Sequence, residues 1–410
     1  MTSPVFMLGG HQTDYAKNWS REEATLFEIL GASVRGALEA SSVKPEDIGV
    51  GHVGNFTGEL FSRQGHLGGI LASVDPAFHG MPTSRHEAAC ASGSVAILAA
   101  MADIESERYD VACVTGVEQM RNVPGRDAAE YLGVAAWTGR EAEEAKFLWP
   151  WMFDALWQEY DRRYGVKREH MAAIAKLNFD NARSNPNAQT RKWSFNEESF
   201  GDNDEHNPVI EGCIRRQDCS QITDGAATVI LASERFAREH ASRLGVGLET
   251  IPRILGWGHK TGTMLYADKI ARSQDAPLVF PHVNQCVRDA MGRAGCEDVF
   301  GLDAIETHDC FSITEYMAVD HFGITKPGES FVAVEEGWLE RDGKIPVNPS
   351  GGLMGGGHPV GATGIRMTVD GYKQVTGTAD GYQVENAKRV ATLNIGGSAT
   401  TCVSFVVGYD

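Results

Sequence analysis

The 410-residue sequence has no paired cysteines: its eight, at positions 90, 113, 213, 219, 286, 296, 310 and 402, nowhere form a C-x-x-C spacing, which disfavours a structural zinc site. It contains no run of about 18 apolar residues and no basic segment ahead of an apolar one near its first residues, so neither a membrane span nor a secretory leader is expected. Its last residues, Gly408, Tyr409 and Asp410, do not form the Ser-Lys-Leu peroxisomal address, and a soluble, cytoplasmic protein is the expectation. Proline is sparse, 15 against 46 glycines, which points to many tight turns rather than disorder. Positive charge is in deficit as well. With 37 Lys and Arg against 55 Asp and Glu, the net charge is −18, which repels phosphate backbones and anionic headgroups and argues against nucleic acid as the main partner. An anionic small ligand would need a local basic cluster.

What is present is a chain long enough for two or three domains at about 150 residues each. Residues 22–41 and 92–105 read as helices, and 50–54 and 110–115 as strands, an alternation that argues for an α/β unit. Residues 140–164 and 168–181 read as charged, aromatic helices followed by an Asn-rich segment, as an inserted, mostly helical region would. A turn at Asp224-Gly225 then leads into an apolar strand over 226–232. The alternation resumes with strands at 251–256 and 304–307 and helices at 281–294, 312–322 and 361–375, and two terminal strands bracket Gly396-Gly397. The similar order of elements in the two halves points to an internal duplication.

Three stretches could carry chemistry. Cys90 sits among small residues (Ala88, Ala89, Ala91, Ser92, Gly93) at the expected start of a helix, where N–H groups favour a thiolate. The competing reading is a small packing residue. His358 closes a glycine-rich loop over 348–364 and is fixed by Pro359, a setting for a base or an oxyanion donor. A plain surface loop is the alternative, and the loop does not fit the nucleotide-binding glycine patterns. His308, Asp309 and Cys310 stand at the end of a strand before a helix, where α/β folds build sites, although a structural His-Asp pair would look the same.

Taken together, the Cys90 stretch, the Gly-His-Pro-x-Gly-x-x-Gly run over 357–364, the turn at Asp224-Gly225-Ala226-Ala227 and the Gly396-Gly397 turn resemble the thiolase superfamily across the whole chain. Many thiolases carry Asn-Glu-Ala-Phe where this chain has His308-Asp309-Cys310-Phe311, and a cysteine where it has Asn394. Both departures resemble the sterol-carrier-protein type of thiolase. The resemblance implies a duplicated five-layer α/β/α/β/α fold of βαβαβαββ halves with an inserted loop domain: residues 1–120 with 214–250, the insertion 121–213, and 251–410.

It further implies that Cys90 is the acyl-accepting nucleophile, His358 its base and Cys310 the acid/base of the carbon–carbon step. His358 and a water placed by His308 would form one oxyanion hole, and the backbone N–H groups of Cys90 and Gly396 the other. Coenzyme A is implied as a substrate, with no permanently bound cofactor and no metal. Arg183, Arg191, Lys192, Arg215 and Arg216, in or just beyond the insertion, are the candidates for holding its phosphates. The activity implied is cleavage of 3-ketoacyl-CoA by CoA, or the reverse Claisen condensation, within lipid and fatty acid metabolism. A homodimer or homotetramer is implied too. The alternatives are an acyltransferase or aldolase on the same fold that needs a small partner subunit, and a silent acyl-CoA or lipid binder. Trp149, Pro150, Trp151, Met152, Phe153, Leu156 and Trp157 either line an acyl pocket or form the insertion's own core, and the second is the expectation.

Overall fold

Local signals decide where the chain coils. Thr25 accepts the Phe27 N–H at 3.3 Å while Glu28 accepts the Thr25 N–H at 2.8 Å, a capping box that starts the first helix at Leu26, four residues later than its periodicity predicts; residues 19–22 form a separate 3-10 turn. In the computed structural model, which describes residues 3–409, the chain runs β1 (Val5–Gln12), α1 (Leu26–Ser41), β2 (Val50–Gly54), α2 (Gly58–Ser62), α3 (Leu67–Leu71), β3 (Thr83–His86), α4 (Ser92–Glu105) and β4 (Val111–Glu118). There follow α5 (Gly125–Gly133), α6 (Leu148–Tyr164), α7 (Arg168–Ala182), the short hairpin β5 (Val209–Glu211) and β6 (Ile214–Arg215), then β7 (Gly225–Ser233) and α8 (Glu234–Leu244). The remainder is β8 (Arg253–Thr261), α9 (Tyr266–Arg272), α10 (Pro281–Arg293), β9 (Ala304–Thr307), α11 (Ser312–His321), α12 (Ser330–Glu335), α13 (Thr363–Thr376), β10 (Arg389–Gly396) and β11 (Thr401–Gly408).

Nine strands order as β3-β2-β4-β7-β1-β8-β11-β10-β9. Within the sheet, among the described residues, the halves meet where Val5 and Phe6 of β1 pair with Ile254 and Arg253 of β8. In the first half β3, β2 and β4 are parallel, and β7 runs antiparallel to both β4 and β1. In the second, β9 and β10 are parallel, and β11 runs antiparallel to both β10 and β8. Order and sense therefore repeat, and the counterpart of β3 is reduced to a single parallel bridge between Ile305 and Val347.

Three apolar cores separate five layers. α1 and α3 pack against the outer face of the first half. α4 and α13 share the central core with strands from both halves, through Ile97, Ile365, Val229 and Phe405. α10 and α11 cover the outer face of the second half. Strands buried on both faces read as near-continuous apolar runs, as Gly225–Ser233 does.

The segment between β4 and β7 does not own its core, contrary to the sequence expectation. Phe153, Leu156, Trp157 and Tyr160 of α6 and Met171, Ile174 and Phe179 of α7 belong to the same cluster as Val283 and Val287 of α10 and Tyr316 and Met317 of α11. The Tyr160 hydroxyl donates to Asp320 at 3.0 Å, and Phe153 stacks on Phe311 with ring centres 4.5 Å apart. The insertion is thus fastened to the second half, over the end of the sheet where the site lies.

Candidate active site

Cys90 stands two residues ahead of α4. The turn that presents it holds Ala89 at φ +50°, a left-handed conformation that costs an L-residue of order 1 kcal/mol. Ser92 keeps the turn in place by accepting the Ala88 N–H at 2.9 Å and donating to the Ala89 carbonyl at 2.6 Å. Burial pushes the Cys90 thiol up to about 12, while the N–H of Gly397 and that of Cys90 itself pull it down. The thiol therefore rests protonated and needs a base beside it.

Two histidines stand there. Cys90 Sγ and one ring nitrogen each of His308 and His358 lie within 4.8 Å of one another, and the rings meet edge to face, 5.2 Å between centres at 86°. His358 is 7% exposed and His308 1%. Burial holds His358 down at about 3, helped by the Arg366 charge; burial, then His358 and Arg366, hold His308 well below its usual range. Both are neutral near pH 7. His358 Nδ1 lies 2.7 Å from Thr363 Oγ1, and its backbone N–H donates to Thr223 Oγ1 at 2.9 Å. His308 Nδ1 lies 3.1 Å from Asn394 Nδ2.

Cys310, 7% exposed, faces the same cavity. Burial first, and then the neighbouring Cys90, keep its thiol well above the ordinary range, and a contact with Thr314 at 3.9 Å opposes them. Asp309 turns the other way. Its carboxylate accepts the N–H groups of Leu353 at 2.6 Å and Met354 at 3.1 Å and so fastens the glycine loop that carries His358. Gly352 is required for this, since a Cβ there would lie 2.3 Å from Asp309 Oδ2.

The cavity has a volume of about 380 Å³, inside the range of small-ligand sites. Cys90, His308, Cys310 and His358 form its floor, while Leu132, Phe147, Trp149 and Phe153 supply an apolar wall. The aromatic segment of α6 is therefore split. Trp149 and Pro150 line the cavity, Phe153 lines it and belongs to the core as well, and Leu156 and Trp157 pack in the core.

Of the five basic residues expected to meet phosphates, only Arg216 lines the cavity. Arg183 pairs with Asp180 at 3.3 Å, Arg191 with Asp14 at 2.7 Å, and Arg215 with Asp204 at 2.7 Å and Asp202 at 3.3 Å. Lys192 is exposed and stands away from the cavity lining. Gly396, expected to lend an N–H, packs against the Ala88 carbonyl, where a Cβ would come within 2.2 Å; it is Gly397 that lines the cavity and approaches Cys90.

Contacts that the motifs do not reveal complete the site. Glu118 is fully buried at the end of β4 and accepts from Asn55 Nδ2 (2.8 Å) and from the N–H groups of Phe56 (3.1 Å), Thr57 (3.2 Å) and Gly361 (2.9 Å), tying the loop after β2 to the start of α13. Asp224 accepts the Met120 and Arg121 N–H groups, both at 2.7 Å. Ser94 donates to Asn394 Oδ1 at 2.8 Å. The sequence signal for these is weak, because their partners lie far along the chain.

Among known proteins, residues 5–198 match the family described as "Thiolase, N-terminal domain" and residues 265–409 that described as "Thiolase C-terminal domain-like". The chain is 32% identical over 397 residues to an acetyl-CoA acetyltransferase of Methanothermobacter thermautotrophicus, covering 97% of each. It is 26% identical over 418 residues to the human protein named sterol carrier protein 2, covering 99% of this chain and 72% of that one. A solved structure titled "Ltp2-ChsH2(DUF35) aldolase" has the same fold, with a TM-score of 0.77 at 17% identity, over 99% of this chain and 98% of that one.

Proposed function

The chain belongs to the thiolase family, and we propose that it moves acyl groups between coenzyme A thioesters through an S-acyl intermediate on Cys90, cleaving 3-ketoacyl-CoA with CoA or running the reverse condensation. The observation that carries this reading is the meeting of Cys90 with two neutral histidines in a cavity that also holds Cys310. As Cys90 attacks the 3-keto carbon, His358 takes the thiol proton, so no free thiolate need form beforehand in a site that disfavours it. Charge on the keto oxygen is met by N–H donors in a cavity with a mainly apolar lining, where they count for more than in water. The carbon–carbon bond breaks, and Cys310 protonates the leaving carbanion. An incoming CoA thiol then gives its proton to Cys310, attacks the acyl group and releases Cys90, which recovers its proton from His358. Arg216, which lines the cavity, would meet the anionic end of CoA in this reading. An aldolase reading is disfavoured because Cys90, His358 and Cys310 are all retained, and the fold likeness to the aldolase complex carries no chemistry.

Intact-mass spectrometry tests this. Mixing with acetyl-CoA or acetoacetyl-CoA should add about 42 Da to the wild type, the mass of an acetyl group on a nucleophile, and nothing to Cys90→Ala. Cys310→Ala should accept the acetyl group from acetyl-CoA but not from acetoacetyl-CoA, since only the second route breaks a carbon–carbon bond. Absence of an adduct with acetyl-CoA, acetoacetyl-CoA and longer 3-ketoacyl-CoAs would refute the reading.

A further inference from the structure

His308 and His358 are chemically the same side chain, both buried and both neutral, yet a base for Cys90 and a donor toward a developing oxyanion need opposite things of an imidazole. One must accept a proton and the other must donate a hydrogen bond. A neutral imidazole does either according to which nitrogen carries its single hydrogen, and the partner of the other nitrogen decides that. Resting on the function proposed above, we infer that Thr363, Asn394 and Ser94 are positioning residues that lock the two histidines in opposite tautomers, so that His358 presents a bare Nε2 to Cys90 while His308 presents an Nε2–H to the cavity.

The argument follows the hydrogens. Thr363 Oγ1 has one hydrogen and spends it on the Pro359 carbonyl at 3.1 Å. At 2.7 Å from His358 Nδ1 the hydroxyl can then only accept, so Nδ1 carries the hydrogen and Nε2 is left with its lone pair. For His308 the order is reversed. The Ser94 hydroxyl donates to Asn394 Oδ1 at 2.8 Å, which turns the amide so that Nδ2, a donor only, faces His308 Nδ1 at 3.1 Å. That nitrogen must accept, and the hydrogen sits on Nε2. All five residues are buried, so water does not compete for these bonds. Space enforces the Ser94–Asn394 contact as well. A Cβ on Gly364 would lie 2.1 Å from Ser94 Oγ and 2.4 Å from Asn394 Oδ1, so glycine at 364 gives the pair room to meet. The pair spans the molecule, joining α4 of the first half to β10 of the second.

The consequence is a division of labour set before substrate arrives. His358 can take the Cys90 proton, after which both its nitrogens donate, and it joins His308 in facing the oxygen on which charge develops. The same assignment opposes a resident metal ion at these three side chains, because the His308 nitrogen turned toward the cavity carries a hydrogen rather than a free lone pair.

The test is a two-bond proton–nitrogen NMR spectrum of the whole protein labelled with ¹⁵N at histidine, near pH 7.5, with signals assigned by the differences left by His308→Asn and His358→Asn. His308 should show the Nε2–H pattern and His358 the Nδ1–H pattern. An Nδ1–H pattern at His308, or averaging over both tautomers at either residue, would overturn the inference. Asn394→Asp replaces the donor with an acceptor and should draw a hydrogen onto His308 Nδ1, lowering kcat about 10²-fold, the usual effect of losing one oxyanion donor, with KM nearly unchanged. A merely structural role for Asn394 would lower Tm without moving the His308 signals, and a shifted tautomer with full kcat would equally defeat the proposal. If the variant does not fold, the wild-type spectrum decides alone. The spectrum is recorded without substrate, so a failure of Cys90 to accept acyl groups would remove the proposed function while leaving the tautomers to be read independently.

Discussion

α4 and α13 hold equivalent places in the two halves and touch in the central layer, yet they begin differently. α4 starts at Ser92 after a strained turn that offers a thiol. α13 starts at Thr363 after a 3-10 turn over Val360–Ala362 and a proline-fixed histidine. A duplicated fold aims two helix starts at one point, and divergence then puts a thiol on one and an imidazole on the other, the pair that the proposed function uses as nucleophile and base. The second half supplies more of the site, with His308, Cys310 and Asn394 on strand ends beside α13, while the first half gives Cys90 and the buried ties of Ser94 and Glu118.

The largest expected effect comes from emptying the helix starts one at a time. Cys90→Ala should reduce kcat/KM by more than about 10⁴-fold and abolish the acyl adduct, because it removes the thiol that carries the intermediate in the proposed chemistry. His358→Ala should cost about 10²- to 10⁴-fold, the usual contribution of a positioned base, and should still allow slow acylation of Cys90. Equal losses, with no adduct in either, would show that the two starts act as one unit rather than as separate reagents.

Pushing the starts apart should cost less. Gly364→Ala would force a Cβ against Ser94 and Asn394, and overpacking of this kind costs about 1–3 kcal/mol, visible as a fall in Tm of a few degrees. Gly371→Ala on the same helix is the control. Its Cβ would meet Val390 and Val407 at 3.6–3.7 Å, ordinary contact, and replacing a mid-helix glycine should be neutral or stabilising by up to about 1 kcal/mol. Similar Tm values for the two variants would mean that the helix starts are not tightly apposed.

Glu118 sharpens the comparison, since it binds N–H groups from the loop after β2 and from Gly361 at the start of α13. Burial lifts it to about 7 against the pull of those donors. An acid raised in the folded state holds its proton there after the unfolded chain has lost it, so stability falls as pH rises from about 4.5 to 7, by on the order of 3 kcal/mol, and stays level above. Glu118→Gln cannot titrate, so the wild-type Tm should drop relative to the variant across that window. A wild type that gains on the variant instead would show that its four donors outweigh burial.

How much of this was legible in the sequence depended on range. The bounds of β2, α4 and β9 follow from local periodicity, and Cys90, His308, Cys310 and His358 stand out because each lies in a short motif. α5 carries no clear local signal because its nine residues sit in a charged stretch whose apolar face is completed by α6 and Phe61, through contacts such as the Trp149 indole donating to the Leu132 carbonyl at 3.0 Å and Tyr131 meeting Phe61 edge to face. Ser94 and Asn394 are 300 residues apart, and no periodicity links them. The basic residues misled for the same reason. Arg183, Arg191 and Arg215 look free in sequence, and the carboxylates that hold them become visible only once the chain is folded.

Arg216 belongs to neither helix start, and its expected effect is the smallest. It is exposed on the cavity rim, so water and salt screen it, and a contact there with an anionic group is worth roughly 0.3–1 kcal/mol. Arg216→Ala should therefore raise KM for CoA only about two- to fivefold and leave kcat and the Cys90 adduct unchanged, because the residue would bind ground state and transition state alike. The difference should shrink as ionic strength rises and the Debye length falls below about 8 Å. A change in kcat would place Arg216 among the groups that act on the reacting atoms. An effect on KM that ignores salt would assign its contribution to packing along the cavity wall, since a charge on the rim must feel added ions and an aliphatic stem need not.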